Sequence, residues 1–109
     1  MRNILILDDD IGLLNVVEAI LAHNRFKVFL SHPQEDIYSL IKLYQPDLII
    51  LEYLMDDING GELCRKVKNN PNTKHIPVII FTAYEKVIYS LGNYGCDAII
   101  SKPIDLKYF

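Results

Sequence analysis

Apolar residues fall along this chain in two rhythms. Short unbroken runs, Ile4-Leu5-Ile6-Leu7, Leu48-Ile49-Ile50-Leu51, Pro77-Val78-Ile79-Ile80-Phe81 and Ala98-Ile99-Ile100-Ser101, are bounded by turn-forming or acidic residues. Continuous runs of that length predict strands buried on both faces, as in a parallel sheet. A weaker run, Phe26 to Leu30, is interrupted by Lys27, which predicts a strand at a sheet edge. Between these runs the apolar positions space out. Leu14, Val17, Ile20 and Leu21 share one helical face within Gly12–His23, with Asp10 as N-cap and Asn24 as stop. Ile37, Leu40, Ile41 and Tyr44 line a second helix, with Pro33 suited to its first position and Pro46 ending it.

A third helix opens at Gly60-Gly61, with Leu63 and Val67 inward and Arg65, Lys66 and Lys68 outward, and Asn69-Asn70-Pro71-Asn72 breaks it. A fourth, roughly Glu85 to Leu91, carries Val87, Ile88 and Leu91, and Gly92 and Gly95 bracket its end. Ile104 to Phe109 begins a fifth helix that is truncated. Strand and helix alternate with short connections. That pattern predicts one α/β domain over residues 1–109, a doubly wound parallel sheet with helices on both faces and right-handed crossovers.

Composition narrows the class. At 109 residues and half hydrophobic, the chain can build a core without metal or disulfide staples. A net charge of −3 without basic runs gives no support to nucleic-acid binding by the domain itself. No run approaches a membrane span, and the start Met1-Arg2-Asn3 leads too soon into acidic residues for a signal peptide, so the expected location is cytoplasmic. Cys64 and Cys96 lack metal-ligand spacing and read as small buried or half-buried thiols of a reducing cytosol.

The chemistry lies where strands end. In wound sheets, ligands sit outside the carboxyl ends of the strands. The first strand ends in Asp8-Asp9-Asp10, the third in Glu52, the fourth in Thr82 and the fifth in Lys102. Clustered carboxylates repel one another unless a cation neutralises them. An all-oxygen set suits Mg²⁺, and a lysine and a hydroxyl beside it suit a phosphoryl group.

These residues resemble the receiver domain of response regulators. The resemblance rests on Ile4-Leu5-Ile6-Leu7-Asp8-Asp9-Asp10, on Pro46-Asp47-Leu48-Ile49-Ile50-Leu51-Glu52 with Asn59-Gly60, on Pro77-Val78-Ile79-Ile80-Phe81-Thr82-Ala83, and on Ser101-Lys102-Pro103. It implies a flavodoxin-like sandwich with a five-stranded sheet in the order 2-1-3-4-5. Asp8 and Asp9 match an acidic pair that holds Mg²⁺, with Glu52 and the backbone carbonyl of Leu54 completing the metal set. Thr82 matches a hydroxyl that reports phosphorylation, Lys102 a lysine that pairs with the phosphoryl group, and Ala83 a small residue that leaves the site open. The implied partners are a histidine kinase or phosphotransfer protein and a downstream effector protein. The implied module is a phosphoacceptor in a two-component phosphorelay, not an enzyme.

Three residues depart from the family pattern. Glu52 stands where the family has its phosphoacceptor aspartate, and its longer side chain is expected to reach toward Thr82 and Lys102, partly mimicking the activated arrangement. Ile99 stands where a Tyr or Phe is usual, and Asp56 where a proline is usual. The expectation is therefore a degenerate receiver that acts through protein–protein contact. A homodimer face is expected on the fourth helix, fifth strand and fifth helix, where Tyr84, Ile88, Tyr89, Tyr94 and Tyr108 fall. Asp8-Asp9-Asp10-Ile11-Gly12 also resembles the motif of haloacid-dehalogenase-like phosphatases, with Asp8 as nucleophile, but the chain supplies no second acidic motif. A flavodoxin-like mononucleotide site would need amides and hydroxyls where the first loop is acidic.

Overall fold

In the computed structural model, which describes residues 2–9, 19, 25–31, 36–55, 58–82, 86 and 94–101, the apolar runs become the strands of one parallel sheet. In chain order the elements are β1 (Arg2–Leu7), β2 (Phe26–Ser31), α1 (Ile37–Tyr44), β3 (Leu48–Glu52), β4 (Leu54–Met55), β5 (Ile58–Asn59), α2 (Gly60–Asn69), β6 (Val78–Thr82) and β7 (Ala98–Ser101). The five-stranded sheet runs β2-β1-β3-β6-β7, which is the order 2-1-3-4-5 when its strands alone are counted. The strand interrupted by Lys27 is indeed an edge strand. The expected helices at 12–23, 85–91 and 104–109 lie outside the described residues, Ala19 and Lys86 apart.

Side chains alternate across the pleat, so each strand feeds two clusters. Leu5, Leu7, Ile49, Leu51, Val78 and Ile80 join Ile37, Leu40 and Ile41 of α1 and Cys64 and Val67 of α2 in one core. Ile4, Ile6, Ile50 and Phe81 form the cluster on the opposite face, with Leu30, Ile79 and Ile100 packed against it. Both faces are apolar, which is why the runs are continuous rather than alternating.

Local chemistry fixes the ends of the elements. α1 begins later than Pro33 suggests. Its N-cap is Asp36, whose carboxylate accepts from the Ser39 amide at 3.1 Å. The helix stops at Gln45, in the left-handed region at φ 46°, whose amide donates to Ile41 O at 2.8 Å. Asn3 holds that end in place. Its Nδ2 donates to Tyr44 O at 3.0 Å, while its backbone amide donates to Asp47 Oδ2 at 2.8 Å. α2 breaks as expected after Asn69, and the buried Thr73 closes the turn by donating to Val67 O at 2.7 Å.

Two sequence expectations change here. The stretch after Glu52, for which the sequence pattern predicts no strand, contains a two-stranded antiparallel ribbon in which Leu54 pairs with Asn59 and Met55 with Ile58. Lys68, expected outward, is largely sequestered. Its ammonium meets Asp97 Oδ2 at 2.6 Å and donates to Ile76 O at 2.7 Å, with its side chain 16% exposed. A helix turn leaves Lys68 pointing at the loop before β7, where a carboxylate and carbonyls can solvate it.

Asp97 repeats the role of Asp47. Each precedes a strand and takes a backbone amide of the neighbouring strand, Asn3 for Asp47 and Val78 for Asp97 at 2.8 Å. Burial pushes the Asp97 carboxyl up, but Lys68 and the Val78 amide outweigh it, so its pKa lies below the ordinary carboxylate value. A depressed folded pKa gives stability that is present above the unfolded pKa and lost as pH falls through the folded one. Asp97→Asn is expected to flatten the acid limb of stability, measured as the urea midpoint against pH, below the ordinary carboxylate range. An unchanged acid limb would remove this assignment.

The two cysteines are free and buried, as expected. Burial, followed by the neighbouring Cys96, pushes the Cys64 thiol up to about 12, which makes it a packing residue rather than a nucleophile.

Candidate functional site

Parallel register carries the acidic and hydroxyl residues to one edge. Leu7 pairs with Leu51, so Asp8, next along β1, comes level with Glu52 at the end of β3. Glu52 pairs with Phe81, and Thr82 lies one position further and pairs with Ser101. The carboxyl ends of β1, β3, β6 and β7 therefore share one sheet edge. Of the predicted site residues, Asp8, Asp9, Glu52, Leu54 and Thr82 are described there. Lys102, Asp10, Asp56 and Ala83 lie outside the described residues.

Burial separates these residues. Asp8, Glu52 and Thr82 are 6%, 7% and 0% exposed, while Asp9 and Leu54 are exposed. Each of Asp8, Asp9, Glu52 and Thr82 is engaged by at least one neighbour. A buried carboxylate needs such engagement, because desolvating it unaided is costly.

The Glu52 side chain does not simply extend forward. Its Oε2 accepts a short hydrogen bond from the backbone amide of Tyr53, the next residue in the chain. The extra methylene lets the carboxylate fold back onto the peptide that follows it. The expected reach toward Lys102 falls on a residue outside the described ones. Among the described residues, no three His, Cys, Asp or Glu side chains are grouped closely enough to hold a metal ion. Asp8 and Asp9 are adjacent oxygen donors, a chemistry that fits a hard cation.

The backbone after Glu52 is held by glycine. Gly60 opens α2, and its amide donates to Tyr53 O at 2.6 Å. A Cβ at Gly60 would lie 1.9 Å from Glu52 O, so the helix start seats directly against the end of β3. Asn59 caps the same helix, its Oδ1 accepting from the Glu62 amide at 3.2 Å.

Sequence reasoning missed the aromatic relay behind this edge. Tyr53 is buried, and its hydroxyl lies 3.5 Å from that of Tyr94. The Tyr94 ring in turn carries the Arg65 guanidinium 4.8 Å above its centroid. A Cβ at Gly61 would come 2.7 Å from the Tyr94 ring. Tyr94, expected on a docking face, is half-buried, with its ring packed against the core. The other tyrosines of that expected face lie outside the described residues. Ile99 is half-buried against the same core and pairs with Ile80.

Comparison with known proteins gives this arrangement its kinship. A family model described as the response regulator receiver domain matches residues 4–108. The chain belongs to the response regulator receiver domain family. The response regulator ArlR of Staphylococcus aureus is 35% identical to this receiver over 98% of the chain. The match spans 48% of that relative, so the receiver covers about half the length of the curated relatives it matches. The signal receiver domain of a signal transduction histidine kinase from Syntrophus aciditrophicus superposes with a TM-score of 0.83 at 30% identity, covering 96% of this chain and 81% of that one. The chemotaxis response regulator CheY4 of Vibrio cholerae, at 19% identity and TM-score 0.85 over 98% of this chain and 91% of that one, shares the fold. The expected flavodoxin-like architecture and the receiver resemblance both stand. The match gives no support to the phosphatase reading with Asp8 as nucleophile. Among the described residues, no helix is long and apolar enough to cross a membrane.

Proposed function

We propose that this receiver is a degenerate one, phosphorylated poorly or not at all, whose output is carried by contacts with other proteins. The single observation that carries this reading is the Glu52 carboxylate, buried at the end of β3 with Oε2 held by the Tyr53 amide. The glutamate side chain is one methylene longer than an aspartate's, and displacement of the attacking oxygen by about 1 Å costs on the order of a hundredfold in rate.

Mg²⁺, which receiver domains generally bind, would be held here by Asp8, Asp9 and Glu52 with the Leu54 carbonyl, and would neutralise charge on an incoming phosphoryl group. Thr82 and Lys102 would receive that group's oxygens. The partners on this reading are a histidine kinase or phosphotransfer protein upstream and an effector protein downstream, and self-pairing through the fourth helix, fifth strand and fifth helix belongs to the same reading. Incubation with acetyl phosphate and Mg²⁺, followed by intact mass, tests it. The expected spectrum is that of the unmodified chain. A stoichiometric phosphoryl adduct mapped to Glu52 would refute the proposal.

A further inference from the structure

Between α1 and α2, away from the candidate site, lies a cleft of about 460 Å³ lined by Tyr38, Glu62, Arg65, Lys66, Asn69, Asn70 and Pro71. Its size is in the range of sites that accept small ligands or a few side chains. Its polar atoms are unequally used. Two of its side-chain acceptors, the Glu62 carboxylate and Asn70 Oδ1, are engaged within the protein. Glu62 receives both its bonds from Arg65 Nη1, at 3.0 and 3.3 Å, and Asn70 Oδ1 accepts from the Asn72 amide at 2.8 Å. The Tyr38 hydroxyl is spent on Lys66 O at 3.0 Å. The donors are not. The Lys66 ammonium, the remaining guanidinium nitrogens of Arg65 and the side-chain nitrogens of Asn69 and Asn70 have no hydrogen-bond partner among the described residues.

Charge points the same way. The lining carries Arg65 and Lys66 against Glu62, a local balance of +1 in a chain whose net charge is −3. Arg65 is also preorganised, its guanidinium stacked on Tyr94 and tied to Glu62. A donor-rich, basic cleft with a Tyr–Pro wall suits carboxylates presented by a polypeptide.

We propose that the α1–α2 cleft is a docking site for an acidic segment of a partner protein, whose carboxylates are taken by Lys66, Arg65 and the Asn69–Asn70 amides. This does not depend on whether Glu52 is ever phosphorylated. The test is a titration of the full chain, labelled with ¹⁵N, with a short oligoglutamate peptide, with a short DNA duplex and an oligolysine peptide run in parallel. Oligoglutamate is expected to shift the amides of Tyr38, Lys66, Asn69 and Asn70, more weakly as salt is raised. Lys66→Glu, at an exposed position, is expected to weaken binding on the order of tenfold, and Asn69→Asp to weaken it less. The absence of those shifts, equal affinity in Lys66→Glu, equal shifts with oligolysine, or stronger binding of the duplex at the same amides would each overturn the proposal.

Discussion

Replacing Glu52 by Asp is expected to raise the rate of phosphoryl labelling by acetyl phosphate on the order of a hundredfold, toward one phosphoryl group per chain. The argument is geometric. Glu52 and Asp8 stand level at the end of β3 and β1, and Thr82 lies one position further along the same edge. Shortening the side chain by one methylene draws the carboxylate toward the strand and removes the reach that lets Oε2 fold onto the Tyr53 amide. A carboxylate oxygen at the shorter reach then attacks phosphorus, forming a P–O bond as the bond to acetate breaks. Rates from intact mass against time, with and without Mg²⁺, measure the effect. An Asp variant that labels no faster than the parent chain would mean that the defect lies elsewhere in the site. Glu52→Gln serves as the reference, since it keeps the length and removes the nucleophile.

The second large effect belongs to Gly60. Alanine is ordinarily better than glycine inside a helix by up to about 1 kcal/mol. At Gly60 the sign reverses, because the added Cβ would meet the Glu52 carbonyl oxygen at 1.9 Å, and that oxygen is backbone. The helix start or the end of β3 must move, breaking the 2.6 Å bond from the Gly60 amide to Tyr53 O. Overpacking of this kind costs roughly 1–3 kcal/mol and sometimes more, so Gly60→Ala is expected at or above the top of that range. Urea denaturation measures it. A loss under about 0.5 kcal/mol, the scale of an ordinary surface change, would show that the contact is easily relieved.

The strands were legible because burial on both faces leaves no polar position inside a run, and turn residues or carboxylates mark where each stops. The helix at Ile37–Tyr44 was legible for the complementary reason, an apolar stripe at helical spacing. What escaped detection depends on partners distant in sequence. Lys68 reads as a solvated charge until Asp97 and the Ile76 carbonyl are brought to it. The ribbon at Leu54–Asn59 has strands of two residues, too short to carry a period, in a composition that announces a turn. The Tyr53–Tyr94–Arg65 stack joins three segments whose side chains each read plausibly as surface or core. For the site, the residue types at the strand ends could be read from the sequence, and the sheet edge could be inferred from them. The direction of the Glu52 carboxylate could not, because a neighbouring backbone amide sets it.

The strand order has a consequence for how the chain acquires its shape. β1 is made first but sits between β2 and β3, with Ile4 against Leu48 and Leu7 against Leu51. On a ribosome the amino-terminal strand can zip to β2 early, yet it stays half-solvated until the segment through Glu52 has emerged. Pairings of such long sequence separation make loop closure the slow event. The sheet therefore cannot close until the central strand is available, and a nascent chain that ends short of it leaves the β1 edge that would pair with β3 uncovered.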